Sequence, residues 1–360
     1  MSSASGSGKE TSGEKLTAQE QSADANREHD WLAAMPKCEL HLHIDGSLQP
    51  ARLLELAEKN AVAIPHASVA DIARACEFTD LQSFLDLYYL GASVLRTDED
   101  FYHLMMDYLL MCRQQNILHS EIMVEPQTYA PFGVTVDVVM RGFVAAIDEA
   151  RREWGQSVLL ILSFLRHLSE DSALDLLRQA QPWKDKFVAI GLASAERDHP
   201  PEKFRRLYSA ARELNLRLTA HAGEEGPPAF IEDALDVLGV ERIDHGVRAV
   251  EHPPLLERLR RDQVPLTVCP LSNVRLCVVE TLQEHPILDL LAQGLCVTVN
   301  SDDPAYFGGY LNENYTALQS ALGMRREQAL ALARNGFNAS FLEPDQRTEL
   351  LSRLDRYAGS

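Results

Sequence analysis

From residue 38 onward, short apolar and β-branched runs alternate with longer stretches of helical periodicity. Eight such runs can be counted: Cys38 to His43, Ser120 to Val124, Val158 to Phe164, Phe187 to Leu192, Arg217 to Ala220, Arg242 to His245, Pro265 to Cys269 and Cys296 to Asn300. This alternation constrains the fold more than any motif does, because parallel strands need a crossover between them and the crossover helices cover the sheet. Eight repeats suit a closed (β/α)8 TIM barrel, although an open doubly wound α/β sheet satisfies the same count. Polar positions favour the barrel, in which chemistry gathers at the C-terminal strand ends. His41 and His43 close the first run, His221 follows the fifth, His245 closes the sixth, and Asp302 and Asp303 follow the eighth.

Between the first two runs lies a segment from about residue 49 to 115 with helical stretches FLDLYYLGASVL and FYHLMMDYLLMCRQQ. It is too long for one crossover, so a helical insertion beside the barrel mouth is expected. Later connections such as EKFRRLYSAARELN and PPLLERLRRDQ read as single amphipathic helices. Residues 1–30 are rich in Ser, Gly, Glu, Lys and Gln with no apolar core, which predicts a disordered tail ahead of one domain over 31–360.

Composition narrows the partners. Asp and Glu outnumber Lys and Arg by 53 to 34, a net charge of −19, so nucleic acid would meet repulsion and a small neutral or cationic substrate is expected. The six cysteines show no paired spacing and read as free thiols of a reducing compartment, without a thiolate metal cluster. No apolar run approaches the roughly 20 residues of a membrane span, which makes the cytoplasm the expected location.

Alternate residues of a strand share a face, so His41 and His43 both project into the barrel and can meet one ligand. With His221 from HAGEE and Asp302 they would make a three-imidazole, one-carboxylate set suited to Zn²⁺ with a position left for water. Taken singly, each has a structural alternative: a satisfied core histidine, a cap or a turn residue, and Asp302-Asp303-Pro304 is also a helix-start pattern. Their coincidence at strand ends favours the metal. Glu224, just past a bend at Gly223, is a candidate proton shuttle, and His245 in RIDHG is a candidate orienting or catalytic histidine.

The segments CELHLHIDGS, TAHAGEEG, ERIDHGV, TVCPLSN and NSDDPAYFG resemble the adenosine/adenine deaminase branch of the zinc amidohydrolases. The likeness spans Trp31 to Leu354, and FLDLYYLGASVLRTDEDFY, LILSFLRHLSE, HAGEEGPP and PLSNVRLCV are closer to the adenine type. It implies a barrel with one Zn²⁺ per chain held by His41, His43, His221 and Asp302. It further implies that Glu224 gives a proton to ring nitrogen N1, that His245 orients or deprotonates the water, and that Asp303 binds the substrate near N7. Hydrolytic deamination of adenine to hypoxanthine and ammonia, a purine-salvage reaction, is the implied activity. Two departures bear on the substrate-binding positions. Asp45 stands where the adenine type has Glu and the adenosine type has a ribose-contacting Asp, and Gly191-Leu192-Ala193-Ser194-Ala195-Glu196 replaces a GLDSSE-like sequence. Adenosine or an N6-substituted adenine is therefore the alternative 6-aminopurine substrate, with Gly191 and Ser194 among the residues facing it. A catalytically silent purine-binding barrel is the non-enzymatic alternative.

Overall fold

The computed structural model describes residues 30–359. The expected tail over 1–30 therefore lies, apart from Asp30, outside the described residues. All eight anticipated strands form: β1 Lys37–His43, β2 Ile117–Val124, β3 Ser157–Leu165, β4 Phe187–Ala193, β5 Arg217–Ala222, β6 Arg242–His245, β7 Leu266–Val268 and β8 Val297–Val299. They pair in sequence order, each neighbouring pair parallel.

The sheet closes on itself through a parallel bridge between Leu42 and Asp302. There the His43 N–H donates to the Asp302 carbonyl at 3.0 Å, and the Asp302 N–H to the His41 carbonyl at 3.2 Å. The barrel is the result, not the open sheet. β8 is one residue shorter than its apolar run at each end, although the Asn300 N–H still donates to the Val268 carbonyl of β7 at 2.9 Å. The Asn300 side chain adds to this: its Oδ1 accepts from the Leu40 N–H at 2.8 Å, and its Nδ2 donates to Thr298 Oγ1 at 2.9 Å. A side chain thus staples β8 to β1.

Strand alternation sorts the core into two layers. Ile122, Val124, Leu160, Leu162, Ile190 and Leu192 join the large cluster shared with the helices, while Met123, Ile161 and Ala189 form a separate cluster with Phe341. Beside this inner plug, fully buried Arg242 pairs with Glu121 at 2.5 Å and stacks on the Phe341 ring.

The insertion consists of α1 Pro50–Lys59, α2 Val69–Ala75, α3 Leu81–Ala92 and α4 Asp98–Gln114. Reciprocal caps start two of these helices, Asp80 with Ser83 for α3 and Thr97 with Asp100 for α4. Asp100 also accepts from Lys59 Nζ at 2.7 Å and Asn60 Nδ2 at 2.8 Å, tying α1 to α4. The apolar face of α3 then turns to the barrel mouth, where Phe84 and Tyr88 meet Tyr306 and Phe307 from the helix Pro304–Phe307 after β8. No helix among the described residues is long and apolar enough to cross a membrane.

Candidate active site

The C-terminal strand ends bring His41, His43, His221 and Asp302 to one point, all buried. His221 Nε2 lies 3.1 Å from Nε2 of both His41 and His43, and Asp302 Oδ1 stands 3.2 Å and 3.4 Å from the same two nitrogens. A tetrahedral zinc ion with nitrogen and oxygen ligands at about 2.0 Å requires ligand atoms about 3.3 Å apart. The donor set fits one such ion.

Contacts on the far side of each ring reinforce the fit. His41 Nδ1 is 3.2 Å from the Thr267 carbonyl oxygen, and His43 Nδ1 is 2.8 Å from Glu125 Oε1. A hydrogen on each Nδ1 leaves the corresponding Nε2 a lone pair aimed at the shared point. Those lone pairs would face one another at repulsive distance without a cation between them. His221 Nδ1 faces Asp244 Oδ2 at 3.6 Å, and Thr267 Oγ1 donates to Asp244 Oδ1 at 2.9 Å. Sequence reasoning missed Glu125, Thr267 and Asp244. Their only signal was position, since Glu125 follows β2 directly and Thr267 and Asp244 lie on short strands.

Glu224 and His245 flank the cluster. His245 Nε2 is 3.6 Å from Glu224 Oε1 and 3.7 Å from Asp302 Oδ2. The neighbour orienting His245 is an amide, not a carboxylate: Asn273 Nδ2 lies 3.3 Å from His245 Nδ1, and Asn273 Oδ1 lies 3.2 Å from His285 Nε2. His245 itself has a left-handed backbone, φ +64°. Asp303 sits at the N-cap position of Pro304–Phe307, but its side chain makes no cap bond. Its Oδ1 is buried without a hydrogen-bond partner, and a Cβ at Gly46 would stand 2.0 Å from that atom, so only glycine lets the carboxyl approach.

The electrostatics separate these carboxyls. Burial pushes Glu224 well above the ordinary glutamate range, with Asp302 and Glu196 adding to the effect. Burial and then the Asp302 charge raise Asp303 likewise. For Asp302, burial opposes ionisation but the imidazoles of His41, His245 and His43 outweigh it and hold the group well below the usual range. Carboxyls pushed toward the neutral form beside one held toward the ionised form are the division of labour that acid-base chemistry uses.

These groups floor a cleft of about 430 Å³, counted to its open mouth, whose roof is Leu81, Phe84, Leu85, Tyr88 and Tyr89 of α3. Its lining of aromatic and aliphatic side chains with a few imidazoles and carboxyls suits a small aromatic molecule with polar edges. Asp303 and Ser194 line it; Asp45 and Gly191 do not. Asp45 is 1% exposed, its Oδ1 accepting from the Tyr129 hydroxyl and its Oδ2 from the Tyr88 hydroxyl at 3.3 Å. Gly191 faces the barrel interior, where an added Cβ would meet Ile161, Thr219 and Ser163 at 3.3 to 3.5 Å. Ser194 Oγ lies 3.1 Å from the Tyr89 hydroxyl and 2.8 Å from His167 Nδ1.

An eight-stranded parallel barrel with buried imidazoles and carboxylates gathered at its C-terminal mouth defines a barrel hydrolase. Within that class the chain belongs to the adenosine deaminase family, whose sequence model matches residues 36–357. It is 55% identical over 328 residues to an adenine deaminase of Hahella chejuensis, covering 91% of this chain and 98% of that protein. Its fold superposes with TM-score 0.89 on an adenine deaminase from Arthrobacter aurescens, at 46% identity over 91% of this chain and 100% of the other. An amidohydrolase from Burkhoderia ambifaria with bound Zn is 25% identical, TM-score 0.85, covering 97% and 96% of the two chains.

Proposed function

We propose that this chain is a zinc-dependent aminohydrolase that converts adenine and water to hypoxanthine and ammonia. The observation that carries the reading is the convergence of three imidazole nitrogens and one carboxylate oxygen at zinc spacing, beneath a cleft with the buried Glu224 at its edge. The relatives named adenine deaminase support the substrate.

His41, His43, His221 and Asp302 would hold one zinc ion. Bound there, zinc lowers the pKa of water and so supplies a nucleophile near neutral pH. His245 would orient that water through its Nε2–H, because Asn273 Nδ2 donates to its Nδ1 and so leaves the ring's proton on Nε2. Glu224 gives its proton to N1 as C6 is attacked, so that the ring electrons have somewhere to go. Asp303, with an unsatisfied oxygen in the cleft wall, binds the purine on its N7 side, and Ser194 offers a hydroxyl at the rim. The proton that the attacking water gives up ends on the exocyclic nitrogen, so the amine leaves as ammonia while the oxygen stays on C6. Purine salvage in a reducing, cytoplasmic setting suits the free cysteines.

Asp45 bears on the choice of purine. A ribose hydroxyl would need its carboxylate, yet both oxygens are taken by buried tyrosine hydroxyls. That favours the free base over adenosine. A second reading, an N6-substituted adenine, is supported by Ala193, whose small side chain lines the cleft. Steady-state kcat/KM for adenine, adenosine and N6-isopentenyladenine, measured with the metal content known, tests the assignment. Adenine is expected to exceed both others, and a larger value for either replaces the substrate.

A further inference from the structure

Glu196, on the loop after β4, is 1% exposed and does not line the cleft. Its carboxylate accepts four successive backbone N–H groups. Oε1 receives Gly223 at 2.8 Å, while Oε2 receives Glu224, Glu225 and Gly226 at 3.1, 2.9 and 2.7 Å. Four amides can point at one group only if the chain curls around it, and Gly223 at φ +70° permits the first bend. Gly226 permits the close approach, since a Cβ there would stand 2.5 Å from Glu196 Oε1.

The opposite polarity is served from the neighbouring strand. Arg166, fully buried just past β3, donates through Nη1 to the His221 carbonyl at 2.8 Å. A guanidinium therefore holds the carbonyl of His221, and a carboxylate holds the amides of the following turn. Charge-assisted bonds of this kind are the stronger sort, and buried backbone amides are costly to leave unpaired. The segment carrying Glu224 is pinned from both sides.

We propose that Glu196 is a positioning residue for Glu224: by gathering the Gly223 to Gly226 amides on one carboxylate, it fixes where the Glu224 side chain ends above the cleft. It acts without touching the substrate or the imidazole cluster. The inference rests on the deaminase reading, in which Glu224 delivers the proton. A glutamine at 196 keeps the shape but must turn its NH₂ toward at least one N–H donor, so the turn shifts while the fold and the four imidazole and carboxylate donors stay.

The test compares Glu196→Gln with wild type, and repeats the substitution in a Glu224→Gln background, on zinc-loaded protein with adenine. The single variant should keep one metal per chain and a KM within about threefold, while kcat falls about 10²-fold, the usual cost of a misplaced group. In the Glu224→Gln background the same change should cost less than about threefold more, because residues acting through one another are not additive. Gly226→Ala, which crowds the carboxylate without removing its charge, should lower kcat at least about tenfold with metal retained. Full kcat in either single variant, or an equal loss in both backgrounds, overturns the proposal. A wild type without turnover on any 6-aminopurine overturns the deaminase reading and this inference with it. An active wild type matched by its Glu196→Gln variant overturns the inference alone.

Discussion

Nδ1 of His43 lies 2.8 Å from Oε1 of Glu125, a buried carboxylate just beyond β2 whose other oxygen has no hydrogen-bond partner. The contact fixes the His43 tautomer and makes Nε2 a better electron donor. Glu125→Ala should weaken metal binding about 10- to 100-fold, read by competition with a chelator of known affinity. Wild-type affinity in that variant would show that the contact does not serve the metal.

Chelation gives the complementary test. Stripping the ion should abolish deamination and lower the melting temperature, since a ligand bound only to the native state stabilises it by mass action. Added Zn²⁺ should restore both. Turnover by protein shown to be metal-free would end the zinc mechanism.

Glu224→Gln keeps the side chain's size and removes its proton-donating acid. We expect kcat to fall about 10²- to 10⁴-fold, the ordinary range for one acid-base group, with metal content unchanged. Near-normal turnover would take Glu224 out of the proton-transfer role.

Substrate choice should respond to the tyrosines over Asp45. Tyr88 lines the cleft and donates to Asp45 Oδ2 at 3.3 Å, so Tyr88→Phe frees one carboxylate oxygen just behind the cleft wall. The ratio of adenosine to adenine kcat/KM should rise by about 3- to 10-fold, roughly the worth of one hydrogen bond. An unchanged ratio would mean that Asp45 plays no part in excluding the ribose.

His285 predicts a pH effect on stability. Its Nδ1 accepts from the Ile287 N–H at 3.2 Å, its Nε2 meets Asn273 Oδ1, and burial lowers its pKa to about 4. The unfolded chain, with an ordinary value near 6.5, then binds more protons between pH 4 and 6.5. Stability from this group is complete above pH 6.5 and lost as pH falls toward 4, on the order of 3 kcal/mol in all. In metal-free protein, His285→Gln should flatten the fall in melting temperature over that window. An identical pH profile would contradict the assignment.

Periodicity in the sequence determined the strand count, the helical insertion and the shared face of His41 and His43, because each follows from local backbone geometry. Even the short β7 and β8 were visible as apolar runs, each strand being one residue shorter than its run at either end. The residue types at the strand ends also marked His221, Asp302, Glu224, His245 and Asp303 as a candidate set, for a closed barrel brings all its strand ends to one rim.

Only the tertiary structure decided what stands behind those residues. Glu125 meets His43 across 82 positions of sequence, Thr267 meets His41 across 226, and the Glu196 carboxylate meets the 223–226 amides across 27 to 30. It likewise seated Asp45 beneath Tyr88 and Tyr129 and turned Gly191 into the barrel, away from the cleft where sequence alone had put them. Such contacts depend on inter-strand register and on how the insertion folds over the mouth. A one-residue change in register would send strand side chains such as His41, His43 and Thr267 to the other face while leaving the local pattern of apolar and polar residues unaltered.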